Sequence, residues 1–224
     1  MDATRLLDSD VASTRIAGVM VLAEIADTYR GNYRQSVVDI LCGYLRTWHR
    51  EEEKGHDAAV ESAILSVIAT HVKEYREIDG KSDAEQILEG DQLWCDCQFD
   101  FHNAVFIESV NFEGTRFARS VNFRGAEFTE GADFFDVRFV EYANFEEVEF
   151  TGKIQFERVE FTENASFTGV EFTGDTIFLI TKFAGDATFP RSEFAGDASF
   201  SDTDIRLAKS TGLPSSAIRK TPKE

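Results

Sequence analysis

The sequence predicts an α + β chain in which an α-helical N-terminal module precedes a solenoid of short β-strands. Phenylalanine returns between Phe101 and Phe200 at intervals that alternate strictly between five and six residues. A fixed short period of this kind is the mark of a repeat array. Residues 1–78 contain no phenylalanine and carry apolar residues at a period near 3.6, which is typical of amphipathic helices.

The repeat region has the pattern of short extended segments joined by turns. Two positions before each phenylalanine of the series after Phe101 lies a small or β-branched residue, as in Ala126-Glu-Phe128 and Ala187-Thr-Phe189. Alternate residues of an extended segment share a face, so we expect both to point inward and the residue between them to point outward. An inward set spaced at two and then five or six residues does not stay on one helical stripe, which excludes helix. Only Phe99 and Phe135 fall outside the series.

Two segments, Ala184-Gly-Asp-Ala-Thr-Phe189 and Ala195-Gly-Asp-Ala-Ser-Phe200, resemble the pentapeptide-repeat family almost letter for letter. The resemblance is to its phenylalanine-centred variety, with an extra residue in every second repeat. It implies a right-handed quadrilateral β-helix with one repeat per side and four sides per coil, which makes 22 residues per coil here. Stacking about five coils at ~4.8 Å per layer gives a rod roughly 24 Å long.

With this coil length the phenylalanines sort into four stacked columns, which we expect to form the core. The columns are Phe101, Phe123, Phe145, Phe167 and Phe189; Phe106, Phe128, Phe150, Phe172 and Phe194; Phe112, Phe134, Phe156, Phe178 and Phe200; and Phe117, Phe139, Phe161, Phe183 and Ile205. Gly-Asp pairs at 174, 185 and 196 fall at the inserted position of alternate sides. They are predicted to form turns instead of phosphate-binding loops.

Three helices are predicted in the N-terminal module. The first follows Ser9 or Asp10 and ends before Gly31, and the third runs from about residue 57 to 75. The second is expected to be capped by Asn32, with Gln35 in the capping-box position. The inward stripes, helix by helix, are Ile16, Val19, Met20, Ala23 and Ala26; Val37, Leu41, Tyr44, Leu45 and Trp48; and Val60, Ile64, Val67, Ile68 and His71.

The helical stretches 15–26 and 37–46 are similar to the short HEAT-like module that often precedes such repeats in bacterial proteins. We interpret this module as a cap on the first coil, because an uncapped solenoid exposes edges that recruit other chains. The expected domains are a helical module at 1–78, a linker and start of the solenoid at 79–92, the β-helix at 93–205, and a C-terminal cap with a disordered tail at 206–224.

Several features predict a soluble protein of the reducing cytoplasm. No apolar run approaches the length that spans a bilayer. The N-terminus, with Asp2, Asp8, Ser9 and Asp10, does not have the pattern of a secretory signal. Three cysteines do not make a disulfide framework.

No constellation in the sequence favours an enzyme, so we expect no catalytic residue, no cofactor and no metal. Histidines 49, 56, 71 and 102 are scattered. Cys95-x-Cys97 with His102 is the nearest approach to a metal site, but zinc would need a fourth ligand. Cys95 lies six residues before Phe101, at a column position, and is therefore interpreted as part of the core.

Charge is the one feature that points towards function. Residues 91–205 hold 23 Asp and Glu against 8 Lys and Arg, a net charge of −15 out of −18 for the chain. The outward residues just before the second column are predicted to stack as a ladder of like charges, Glu127, Glu149, Glu171 and Glu193. Neighbouring carboxylates at the layer spacing repel by about 1 kcal/mol each in water, and by less in salt. Either these are tolerated solubilising residues, or the ladder is a binding face.

The leading hypothesis is a non-enzymatic protein-interaction module that uses the acidic rod or the helical cap. The alternative is a DNA mimic that binds a DNA-handling enzyme such as DNA gyrase, as the resemblance to the fluoroquinolone-resistance branch of the family implies. A duplex about 24 Å long carries roughly 14 negative charges, close to the rod's own net charge. We expect a protein partner, no direct nucleic-acid binding, no membrane span and, through the last coil, a homodimer as one option.

Overall fold

The computed structural model describes residues 3–47, 57–73 and 93–203. The helices of the first two ranges are α1 (Ala3–Leu7), α2 (Ala12–Tyr29), α3 (Asn32–Thr47) and α4 (Ala58–Val72). The third range forms a solenoid with four parallel sheets. Residues 79–92, Ile205 and residues 206–224, which carry the predicted linker, the end of the fourth column and the predicted C-terminal cap, lie outside the described residues.

Each sheet forms one face of the solenoid, and each strand within it belongs to a different coil. Face 1 contains β1 (Phe99–Asp100), β5 (Val121–Asn122), β9 (Ala143–Asn144), β13 (Ala165–Ser166) and β17 (Ala187–Thr188). Face 2 contains β2 (Val105–Phe106), β6 (Glu127–Phe128), β10 (Glu149–Phe150), β14 (Glu171–Phe172) and β18 (Glu193–Phe194). Face 3 contains β3 (Val110–Asn111), β7 (Ala132–Asp133), β11 (Ile154–Glu157), β15 (Thr176–Leu179) and β19 (Ala198–Ser201). Face 4 contains β4 (Arg116–Phe117), β8 (Arg138–Phe139), β12 (Glu160–Phe161) and β16 (Lys182–Phe183).

The strand register confirms the coil of 22 residues. Phe150 lies opposite Phe128 on one side and Phe172 on the other, and the other faces follow the same step. The prediction of a four-sided β-solenoid of about five coils with an N-terminal helical part is therefore confirmed.

The four phenylalanine columns form the core, as predicted. Rings of successive coils stack with centroids between 4.6 and 5.7 Å apart, and rings of different columns meet edge to face, as Phe145 and Phe156 do at 5.9 Å. Offset-stacked and edge-to-face pairs are the arrangements that the ring quadrupole favours. Phe145 is fully buried, so the interior contains packed side chains and no channel.

Two kinds of corner alternate around each coil, which explains the alternating interval. In every five-residue interval the second residue after the phenylalanine has a positive φ, for example 57° at Glu147 and 67° at Gly169. Most of these positions are not glycine, and a positive φ strains the backbone of other residues. Contacts between the stacked coils must therefore keep the backbone in this conformation. The amide of Glu147 does donate to the Thr168 carbonyl of the next coil, at 2.9 Å.

The six-residue corners after Phe172 and Phe194 need glycine for a different reason, close stacking of backbone on backbone. A Cβ added to Gly174 would lie 2.2 Å from the carbonyl oxygen of Gly152, one coil away. Gly196 meets Gly174 in the same way, at 2.4 Å. The predicted assignment of the Gly-Asp pairs to turns is correct.

The helices confirm much of the predicted pattern and correct parts of it. Helix α1 was not predicted, because its five residues are too few to show a period. Met20, expected to point inward, is 49% exposed, and Leu22 is buried instead. Helix α3 begins at Asn32 itself, so Asn32 is its first residue and not the cap before it that the sequence predicted. The third inward stripe, including His71, is buried as expected, whereas Trp48 lies outside the described residues.

Side chains of α3 satisfy open backbone groups at the start of the solenoid. Gln35, predicted to complete a capping box, instead pairs with the backbone of Gln98: its Nε2 donates to the carbonyl at 2.8 Å and its Oε1 accepts the amide at 2.9 Å. Arg46 donates to the Asp100 carbonyl at 3.1 Å and to its carboxylate at 2.6 Å. Both contacts lie at the start of face 1, where β1 is the end strand of its sheet in the part of the chain that the structure describes.

Glu61 of α4 performs the same task on face 2. Inside the solenoid the residue after a second-column phenylalanine donates to the previous coil, as the amide of Thr129 does to the Phe106 carbonyl at 3.0 Å. Among the described residues no coil precedes Ile107, and its amide donates to Glu61 Oε1 at 3.0 Å, as that of Glu108 does at 3.1 Å. The helical module therefore covers the first coil by replacing its missing hydrogen-bond partners, a protection that sheet edges require.

Candidate interaction surface

The acidic ladder predicted from the sequence exists as a geometric feature of face 2. Glu149 lies in register with Glu127 and with Glu171, and Glu171 with Glu193. All four side chains are exposed, because the phenylalanine that follows each of them turns inward to its column. Since parallel strands lie about 4.8 Å apart, the four carboxylates are spread over roughly 14 Å of one face.

The ladder places like charges together without compensation. Partial burial and then the neighbouring Glu127 and Glu171 raise the pKa of Glu149 above its ordinary value. In the part of the chain that the structure describes, none of the four carboxylates forms an ion pair. Other acidic residues of the rod are paired from coil to coil, as Glu147 is with Arg124 at 3.0 Å.

Replacing Glu149 with glutamine is expected to raise the free energy of unfolding by about 0.5 kcal/mol at pH 7 and low salt. The change removes two repulsive contacts, and solvent screening of this exposed group keeps the gain small. The raised pKa means that the folded protein binds this proton more tightly than the unfolded chain, so wild type gains stability as pH falls through the carboxylate range. The advantage of the variant should shrink there and also at high salt.

Urea unfolding of both proteins at several pH values measures this difference. Glu193→Gln is the matched control, since Glu193 lies in register with one ladder carboxylate, Glu171, and not with two. The increase in the free energy of unfolding should be about half as large for Glu193→Gln as for Glu149→Gln. A stabilisation that is equal at both sites, or that persists at acid pH, would show that repulsion along the ladder is not its cause.

Face 4, on the opposite side of the coil from face 2, is mixed in charge. In register on face 4 lie Arg116, Arg138, Glu160 and Lys182. Arg138 Nε donates to Glu160 Oε2 at 3.0 Å. Face 2 therefore carries an unbroken row of four carboxylates, whereas the row on face 4 combines three cations with one carboxylate.

The cysteines and histidines occupy structural positions. The amide of Ala118 donates to the Cys95 carbonyl at 2.8 Å, which places Cys95 one coil before Phe117, at the fourth-column position predicted for it. Burial raises the pKa of Cys97 to about 12, which suits a packed thiol and not a metal-binding thiolate. His102 Nδ1 lies 2.8 Å from Asp100 Oδ1. Over residues 3–47, 57–73 and 93–203 no group of His, Cys, Asp and Glu is arranged to hold a metal.

His71 links the helices to the solenoid. Its ring stacks on Trp94 at 4.2 Å, and its Nε2 lies 3.2 Å from Asp27 Oδ2. Trp94 Nε1 donates to Asp27 Oδ1 at 2.9 Å. His71 Nδ1 lies 2.7 Å from the Val67 carbonyl oxygen, so this residue of the third inward stripe has a polar partner at both ring nitrogens. His49 and His56 lie outside the described residues.

Sequence reasoning missed the polar side chains that join the module to the first coil, Gln35, Arg46 and Glu61. Each lies on a helix among other polar residues, and no local signal separates it from a solvated one. Beside them, a groove of about 320 Å³ runs between α4 and the first coil, lined by Ser62, Ser66 and Thr70 among others. Among the described residues no helix is long and apolar enough to cross a bilayer.

A scan against models of protein families matches residues 98–138 and 156–204 to pentapeptide repeats, in nine copies. A search of curated proteins finds no match. A search of solved structures finds none either.

Proposed function

Because the solenoid of this chain is a pentapeptide-repeat domain, we propose that it acts as a protein-interaction module whose contact surface is the ladder of Glu127, Glu149, Glu171 and Glu193. Pentapeptide-repeat solenoids are generally structural or interaction modules. The ladder carries the proposal, because in-register carboxylates without compensating cations are unfavourable for the folded state alone. The partner expected is a protein with a basic surface, and the three free cysteines are compatible with a cytoplasmic location.

The second candidate function is that of a DNA mimic which occupies the basic groove of a DNA-handling enzyme such as DNA gyrase. The net charge of −15 over residues 91–205 favours it, since a duplex of the same length carries roughly 14 charges. The mixed charges of face 4 favour the general interaction module, because a duplex is negative on all sides. The ladder is also sparser than one DNA strand, with a charge every ~4.8 Å against ~3.4 Å.

A homodimer through the last coil is a further option. Strands β16 to β19 each pair with one strand of the preceding coil, and a strand with a free edge is a template for another chain. A monomeric mass in solution at micromolar concentration would exclude the homodimer.

The decisive experiment compares capture from host lysate, and binding to purified gyrase, by wild type and a variant with glutamine at all four ladder positions. We expect wild-type binding to weaken about tenfold or more between low and moderate salt and the variant to bind weakly throughout, because rim charges act through long-range attraction.

The matched control removes the same number of negative charges from other faces. It carries Glu157→Gln, Glu163→Gln, Asp175→Asn and Asp186→Asn. This variant should bind like wild type. If it loses binding as fully as the ladder variant, net charge and not the ladder is responsible, and if both variants retain the same partner, the helical module is the surface to examine. Retention of gyrase by wild type alone would select the DNA-mimic function.

A further inference from the structure

Face 3 carries an apolar patch on its outer surface, formed by Phe135, Ile177, Leu179 and Ile180. In β15 the side chains of Thr176 and Phe178 are buried, so Ile177 and Leu179 point outward. Ile180 follows at the corner and is 47% exposed. None of the four belongs to the buried core or to the partly buried residues packed against it. Phe135 is the phenylalanine that the repeat series does not explain.

The strand register places Phe135 two coils from Leu179 in the same row, with Glu157 between them, while Ile177, Leu179 and Ile180 are neighbours in sequence. Leu179 lies opposite Glu157, and the amide of Asp136 donates to the Glu157 carbonyl at 2.9 Å, so Phe135 lies one coil further along the same row. The Arg158 guanidinium lies 5.7 Å from the centre of the Phe135 ring. The patch therefore consists of an aliphatic cluster and, two coils away on the same face, an aromatic ring covered by arginine. Aromatic residues and arginine are enriched in protein interfaces.

The fold does not require apolar residues at these positions. In the last coil the residues in register with Ile177 and Leu179 are Ser199 and Ser201, and the preceding coil has Gln155 and Glu157 there. Outward positions of a solenoid normally carry such polar residues, as the rest of this face does. An aliphatic cluster here is better explained by a binding partner than by stability.

The surroundings of the patch specify the charge of its ligand. Acidic residues lie around the patch and, at Glu157, between Phe135 and Leu179. They are Asp133, Glu157, Asp175, Asp197 and Asp202. A ligand with aliphatic anchors flanked by lysine or arginine would match both the patch and its border.

The chain itself contains a segment of this chemistry. Residues 206–223 hold Leu207, Leu213 and Ile218 together with Arg206, Lys209, Arg219, Lys220 and Lys223. This segment starts close to the patch, because Ser201, which pairs with Leu179, is only five residues before it. An extended chain advances ~3.3 Å per residue, so 18 residues are ample to cross the two coils of the patch.

We propose that the patch on face 3 binds the basic and apolar segment 206–223 of the same chain. The inference does not depend on the acidic ladder, which lies on face 2. A short tether gives an effective concentration in the millimolar range, so even a weak site is largely occupied. The bound segment would also supply positive charge to an acidic face.

The test is the rate of tryptic cleavage after Lys209 and Lys220 in the full chain, followed by mass spectrometry. The patch variant is Ile177→Ser, Leu179→Ser and Ile180→Asp, which copies the residues of the last coil and should leave the fold intact. We expect it to be cleaved roughly three- to tenfold faster than wild type. In wild type the segment is bound for most of the time at millimolar effective concentration, and trypsin cleaves only the unbound segment. A tail variant, Leu213→Asn with Ile218→Asn, leaves residues 93–203 unchanged and should show the same acceleration.

Two outcomes would overturn the proposal. Equal cleavage rates in wild type and both variants would mean that the segment does not occupy the patch. Protection that disappears when the protein is diluted would place the segment of a second copy on the patch. The ladder variant with four glutamines serves as the control and should be cleaved at the wild-type rate.

Discussion

Replacing Phe145 with alanine is expected to lower the free energy of unfolding by about 3–5 kcal/mol, the usual loss for a buried phenylalanine. The ring is fully buried and stacks between Phe123 and Phe167, with centroids 5.0 Å away on each side. It also meets Phe134 and Phe156 edge to face. Because all of these neighbours are held by the stacked coils, the cavity cannot collapse.

Urea unfolding followed by circular dichroism measures the loss. Phe135→Ala is the matched control, since it removes the same ring from an outward position. We expect a loss below about 1 kcal/mol there, because little apolar area returns to water. Similar losses at the two positions would contradict the division into inward columns and an outer patch.

Replacing Asp57 with alanine is expected to destabilise the helical module by about 3–5 kcal/mol, because it leaves a buried guanidinium without its counter-charge. Arg15 Nε donates to Asp57 Oδ2 at 2.6 Å, and the two side chains are only 8% and 7% exposed. The Tyr44 hydroxyl donates to the same carboxylate at 3.2 Å. The pair thus connects α2, α3 and the start of α4.

A double-mutant cycle separates the pair from other effects of the substitution. Arg15→Met combined with Asp57→Leu replaces the ions by apolar side chains and should be at least about 2 kcal/mol more stable than Asp57→Ala. Thermal unfolding of wild type, Arg15→Met, Asp57→Leu and the double variant measures the coupling, and Asp57→Ala is unfolded beside them. If Asp57→Ala costs less than about 1 kcal/mol, water must reach Arg15 and the pair is not buried in solution.

The same substitution tests the role of the module as a cap. Glu61, whose carboxylate receives the first-coil amides of Ile107 and Glu108, lies on α4 one turn after Asp57. We expect Asp57→Ala to weaken these contacts and to speed hydrogen exchange of the two amides relative to those of the third coil.

The repeat region was predictable in detail because its contacts join residues at one constant separation. Every column and the Glu149 ladder follow from a step of 22 residues, so a period in sequence becomes a position in space. The sequence alone therefore determined the coil length, the inward phenylalanines, the ladder and the column position of Cys95.

The tertiary structure decided what no period encodes. Contacts between module and solenoid span unequal separations, such as 63 residues from Gln35 to Gln98 and 46 from Glu61 to Ile107. Helical periodicity could not place Met20 outside, because α2 is apolar on several sides and only its packing partners select the inward face. Glu147 and Arg158 likewise have a positive φ that neither residue favours by itself. It depends on the hydrogen bonds that their amides donate to carbonyl groups of the next coil.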